Sequence, residues 1–150
     1  MTKDSTIQDV VFFNILTAAV LILITLPVGI ACIVLGFGLG DNPCVLCWQE
    51  RMGMILISAI ALFIVRYGLK PKYLGLLILQ ASFGIFMSLR HSAWHIPRDI
   101  GQGFSLKILG AHTYTWGILI YWAVVVFLGL ILLMANYKFP EKNVLKTISF

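Results

Sequence analysis

The chain has 150 residues, 60% of them hydrophobic and only 11% charged, where a soluble domain of this size carries about 25% charged residues. That composition excludes an ordinary water-soluble domain. At about 20 apolar residues per membrane-spanning helix, the length leaves room for about four spans and no separate soluble domain. The formal net charge of +5 does not mark a nucleic-acid binder, because the basic residues are scattered at the ends of apolar runs, where they set membrane topology, and form no basic stripe.

The first apolar run extends from Val10 to Leu39. It is long for the apolar core of a signal peptide and no clear small-residue cleavage site ends it, so it reads as a retained helix, tilted or kinked. Pro27 and Gly29 sit near its middle, where a bilayer helix tolerates them if neighbours satisfy the freed carbonyl. Cys32, inside the same run, reads as a buried, inert thiol. Gly38, Gly40, Asp41, Asn42 and Pro43 then form a short turn. A second span covers residues 46–65, followed by a tight connection from Tyr67 to Lys72. A third span covers residues 73–89, and a fourth covers 114–135 before a lysine-bearing tail. The expected fold class is an all-α membrane protein, a four-helix transmembrane bundle in one domain over residues 1–150.

The longest polar stretch, residues 90–113, separates the last two spans. Within it, Ile96 to Leu109 mixes apolar with charged side chains, as expected of a short amphipathic segment lying on the membrane surface. Gly101, Gly103 and Gly110 argue against a rigid helix there. Trp94, Trp116 and Tyr114 read as interfacial belt residues. His91 and His95 are harder to dismiss, since a histidine so close to the membrane usually faces a cavity or a partner.

Charge bias sets the orientation. Arg66, Lys70 and Lys72 crowd the middle connection, Lys138, Lys142 and Lys146 the tail, and Lys3 precedes the first span. The opposite side holds Arg51, Arg90, Arg98 and Lys107. Both termini are therefore expected in the cytoplasm. The turn before the second span and the 90–113 loop are expected on the far side, which in a bacterial inner membrane is oxidising.

That far side carries the most informative segment, Asn42-Pro43-Cys44-Val45-Leu46-Cys47-Trp48-Gln49-Glu50-Arg51. Two thiols at Cys-x-x-Cys spacing can close a disulfide. Cys47 falls at the start of the second helix, where the positive dipole end favours a thiolate. Arg51 follows one turn later on the same face and can stabilise that thiolate or an anion that accepts its electrons. An arginine at this depth is expensive unless it snorkels or serves a purpose; an interfacial Arg51–Glu50 anchor is the plain alternative. Zinc would need two more ligands, which His91 and His95 could supply. Covalent c-type haem would need a histidine at position 48, which is Trp. A purely structural disulfide would gain little from so short a ring, whereas strain suits it to redox exchange.

Pro-Cys-Val-Leu-Cys-x-x-Glu-Arg at the start of the second of four spans strongly resembles the DsbB family of disulfide-bond formation proteins, and His91 matches a histidine found just after the third span in that family. The resemblance covers most of the chain. It implies a thiol oxidase that oxidises a periplasmic thioredoxin-fold partner and passes two electrons to a membrane quinone, ubiquinone or menaquinone. It further implies that Cys44 exchanges disulfides with the partner, that Cys47 faces the quinone, that Arg51 holds and polarises it, and that His91 donates a hydrogen bond near the same ring. No metal is implied.

One departure stands out. The family pattern has a second cysteine pair in the long periplasmic loop, whereas this chain has no cysteine after Cys47. Either the partner's thiol attacks Cys44–Cys47 directly, or another polypeptide supplies the relay pair, or the chain serves as a non-catalytic quinone-binding or structural subunit among other membrane subunits.

Overall fold

The computed structural model describes residues 2–38, 45–99, 107–108 and 110–134. Four helices carry almost all of it: α1 (Thr2–Gly38), α2 (Val45–Tyr67), α3 (Pro71–Asp99) and α4 (Thr113–Met134). All four are long and apolar enough to cross a membrane. Between α3 and α4, β1 (Lys107–Ile108) pairs antiparallel with β2 (Ala111–His112), with Lys107 opposite His112 and Ile108 opposite Ala111. Gly110, at φ 83°, supplies the left-handed conformation that the return of this ladder requires. The sequence offered no strand signal here, and so short a ladder is specified by its turn. Cys44, the Cys32 side chain, most of the expected amphipathic segment and the lysine tail lie outside the described residues.

The bundle is inside-out relative to a soluble protein. Leu133, Leu23 and Leu79 project outward, while Asn14, Thr17, Thr25, Ser58 and Ser88 are buried. This pattern fits a hydrocarbon solvent, in which outward apolar residues cost nothing and polar groups turn away from the lipid. Helices adjacent in sequence pack on one another, α1 on α2, α2 on α3 and α3 on α4, the neighbour order of an up-and-down bundle. Ile57, Ala61 and Ile64 of α2 meet Leu77 and Ala81 of α3 and Val124 and Leu128 of α4 in the core.

Local sequence explains where the helices stop and pass one another. Pro27 lies inside α1, which runs on through it. Thr25, two residues earlier, donates to the Leu21 carbonyl at 2.8 Å and contacts Ser58 of α2 at 2.7 Å. Gly29 lets α2 approach closely: a Cβ there would stand 3.3 Å from Ile55 Cγ1. α2 ends at Gly68 (φ 78°), whose N–H donates to the Ile64 carbonyl at 2.8 Å, a left-handed glycine cap. Pro71 then takes the first position of α3, where its missing N–H is no loss.

α3 is the element whose extent departs most from the sequence reading. It continues to Asp99 rather than closing near Leu89. The onset of polar residues at Arg90 marks a change of surroundings, not of backbone conformation. His91 and Ser92 are buried and Arg90, Ala93 and Trp94 are exposed, the alternation of a helix with one face still packed. His91 is thus a helical residue aimed into the bundle.

Candidate active site

The site forms where the first turns of α2 meet the last turns of α3. Cys47, Glu50 and Arg51 stand at i, i+3 and i+4, so α2 presents them on one face. Cys47 is half-buried, whereas Glu50 and Arg51 are 7% and 8% exposed. A carboxylate and a guanidinium so deeply buried require compensation.

Glu50 finds it across the bundle. Its Oε1 lies 3.0 Å from His91 Nδ1, and His91 Nε2 lies 3.6 Å from Cys47 Sγ. The partners determine the proton positions. A carboxylate only accepts, so Nδ1–H donates to Glu50; the remaining nitrogen of a neutral ring then accepts from the Cys47 thiol. Transfer of that one proton turns thiol and imidazole into thiolate and imidazolium, with the carboxylate stabilising the new cation. A thiol, an imidazole and a carboxylate in such a series have the geometry in which a thiol can be activated. The sequence had offered an Arg51–Glu50 anchor; instead Glu50 pairs with His91.

Arg51 faces a different task. Its Cζ stands 5.9 Å from the centroid of the Trp48 ring, a cation–π contact, and its Nη1 is buried with no hydrogen-bond partner. A buried guanidinium N–H without a protein acceptor is an unmet demand for one. Trp48 makes an edge contact with Phe37 of α1 at 5.5 Å, and Phe37, Val45 and Met52 are exposed. The side of the site near Arg51 is therefore apolar and open to lipid.

Two further groups were not legible from the sequence. Tyr121 of α4, fully buried, donates its hydroxyl to the Glu50 carbonyl at 2.6 Å. Its ring occupies space left by Gly84 of α3 and its hydroxyl space left by Gly53 of α2, and a Cβ at either glycine would overlap it. It ties three helices together directly beneath Glu50. A tyrosine amid the apolar fourth span was the available signal. The second is Tyr114, which is 3% exposed and packs against His91, His95 and His112, unlike a belt residue. Trp94, at 59% exposed, does suit the belt.

Four apolar helices of spanning length, with Cys47, His91 and Glu50 in contact where α2 begins, have the architecture of a multi-pass membrane protein. A family model, Disulfide bond formation protein DsbB, matches residues 13–100. The chain belongs to the DsbB family and is a multi-pass protein of the inner membrane. The matched stretch includes the Cys pair, Glu50, Arg51 and His91 and stops before β1, β2 and α4. Searches of curated proteins and of solved structures found no match.

Proposed function

We propose that this protein is a membrane thiol oxidase that carries electrons from a periplasmic thioredoxin-fold protein through Cys44 and Cys47 to a membrane quinone. The observation that carries this reading is the chain Cys47 Sγ–His91 Nε2–Glu50, at 3.6 and 3.0 Å. The partner's thiolate attacks Cys44, breaking the Cys44–Cys47 bond and releasing Cys47 as the leaving thiolate. Resolution of the mixed disulfide frees Cys44 as a thiol, and the partner departs oxidised. Of the two protons that the partner's thiols lose, one ends on Cys44 and His91 takes up the other; its charged ring stabilises the Cys47 thiolate, and Glu50 keeps the ring oriented and its charged form compensated.

The residues present fit a quinone. The buried, unpartnered Nη1 of Arg51 suits a carbonyl oxygen, and the exposed apolar rim of Phe37, Val45 and Met52 suits an isoprenoid ligand arriving from lipid. A bound quinone supplies the two-electron acceptor. Arg51 orients it and offsets negative charge; His91, once protonated on Nε2 as well as Nδ1, can donate a hydrogen bond nearby. On this reading both termini face the cytoplasm and the site faces the periplasm.

The absence of any cysteine after Cys47 favours direct attack by the partner, without an internal relay. It is also the observation behind a second reading, a quinone-binding or structural subunit that no longer turns over. Purified protein mixed with quinone and a reduced thioredoxin-fold partner separates the two. The oxidase oxidises the partner and reduces quinone, and Cys44→Ser and Cys47→Ser each abolish this. No quinone reduction by wild-type protein whose Cys44–Cys47 disulfide is formed would sink the oxidase reading.

A further inference from the structure

The chain has three histidines, and folding gathers all of them although the thiol chemistry uses one. His95 follows His91 by one turn on α3, with ring centroids 4.7 Å apart and planes at 76°. Tyr114, at the start of α4, lies 5.3 Å from His91 and 6.2 Å from His95. His112 of β2 stacks on Tyr114 at 5.1 Å with planes 6° apart. Burial declines along this series: His91 is 2% exposed, whereas His95 and His112 are half-buried.

The polar column also continues inward. Ser88 and Ser92 share the face of α3 that carries His91, and both hydroxyls are buried without a hydrogen-bond partner. A Cβ at Gly117 would stand 3.0 Å from Ser88 Oγ and 3.6 Å from Glu50 Oε2, so both atoms face the surface that this glycine leaves bare. Buried hydroxyls with capacity to spare are where bound water enters a membrane bundle. One face of α3 therefore carries proton-exchanging groups from the interior to the rim.

The geometry points to a proton path in which His95, packed against His91 and Tyr114, exchanges protons through intervening water between the buried His91 and the aqueous phase. This inference rests on the thiol-oxidase reading. Closing the Cys44–Cys47 disulfide breaks two S–H bonds, forms one S–S bond and sends two electrons and two protons to the quinone. When Cys47 stands as a thiolate its proton is on His91 or further out, and it must return for that balance to close. An imidazole accepts on one nitrogen and releases from the other, so His95 can move that proton without moving itself. Tyr114, enclosed among the three rings, presents an aromatic face to whichever imidazole is charged.

The test uses full-length, reduced, quinone-free protein in lipid nanodiscs, with exchange of the His91 ring N–H with water read by 15N-edited NMR. His95→Ala is expected to slow this exchange by about a hundredfold, the scale of one positioned acid–base group, and free imidazole to restore it. His95→Gln keeps the bulk and hydrogen-bonding capacity without a ring that shuttles, and is expected to exchange slowly too. It also decides the matter should the alanine variant not fold. Unchanged exchange in a folded variant overturns the proposal, as does slow exchange in His95→Ala that imidazole fails to restore. No quinone or partner is present, so the result is independent of turnover: failure of wild-type protein to reduce quinone would sink the oxidase reading, whereas unaffected His91 exchange would sink the path alone.

Discussion

Gly84→Ala isolates the clamp beneath the active site. In a helix interior, alanine is favoured over glycine by about 1 kcal/mol. At Gly75 and Gly129, where an added Cβ meets nothing within 4 Å, the substitution should realise that gain. At Gly84 the same Cβ would overlap three atoms of the Tyr121 ring. That ring is fully buried and its hydroxyl is held by the Glu50 carbonyl at 2.6 Å, so it cannot swing away. Overpacking of this kind costs roughly 1–3 kcal/mol, and a ring caught between two glycine-lined helices puts the cost at the upper end. The steric term wins, and Gly84→Ala should be less stable than wild type by about 1–2 kcal/mol. Thermal unfolding in detergent, with Gly75→Ala as the matched control, measures the difference. Removing the obstruction with Tyr121→Leu should make the Gly84→Ala penalty largely disappear in the double variant. Equal midpoints for Gly84→Ala and Gly75→Ala would refute the idea that Tyr121 sets the spacing of α2, α3 and α4.

Glu50→Gln removes the charge that stabilises a protonated His91 while keeping the side chain's shape; thiol oxidation should fall by roughly 10²-fold, and alkylation of Cys47 by iodoacetamide should slow with it. Unaltered alkylation would detach Glu50 from the thiol. Arg51→Met should raise the quinone KM by about tenfold or more, the scale of one lost charge-assisted hydrogen bond, yet leave disulfide exchange between Cys44 and the partner intact; loss of both activities would mean that Arg51 supports the fold instead. Ser58→Ala breaks the 2.7 Å contact with Thr25 and should cost only about 0.6 kcal/mol, as such interhelical bonds do in membranes. A loss of several kcal/mol in chemical unfolding would give that pair a larger part in holding α1 to α2 than its geometry supports.

Much of the site was legible because its signals are local. Cys47, Glu50 and Arg51 share a helical face by spacing alone, and glycine and proline marked the turn between α2 and α3. Glu50's partner was not legible for the same reason: its neighbour in sequence is Arg51, which left an Arg51–Glu50 anchor open as the plain alternative, but it pairs with His91, 41 residues away. The end of α3 was misplaced because polarity was taken for a helix boundary, while the backbone continues as long as one face stays packed. Tyr114 resembled a belt residue because nothing local reveals that three imidazoles surround it.

Composition, run length and a ten-residue motif are read along the chain, and they set the solvent, the four crossings, the family and the spacing of the cysteine pair. Only the tertiary structure decided what backs the thiol. The carboxylate behind His91, the tyrosine clamp on Gly53 and Gly84 and the convergence of all three histidines each join helices distant in sequence. Their spacing is determined by how closely those helices approach, and that depends on which side chains, or which glycines, meet at the contact.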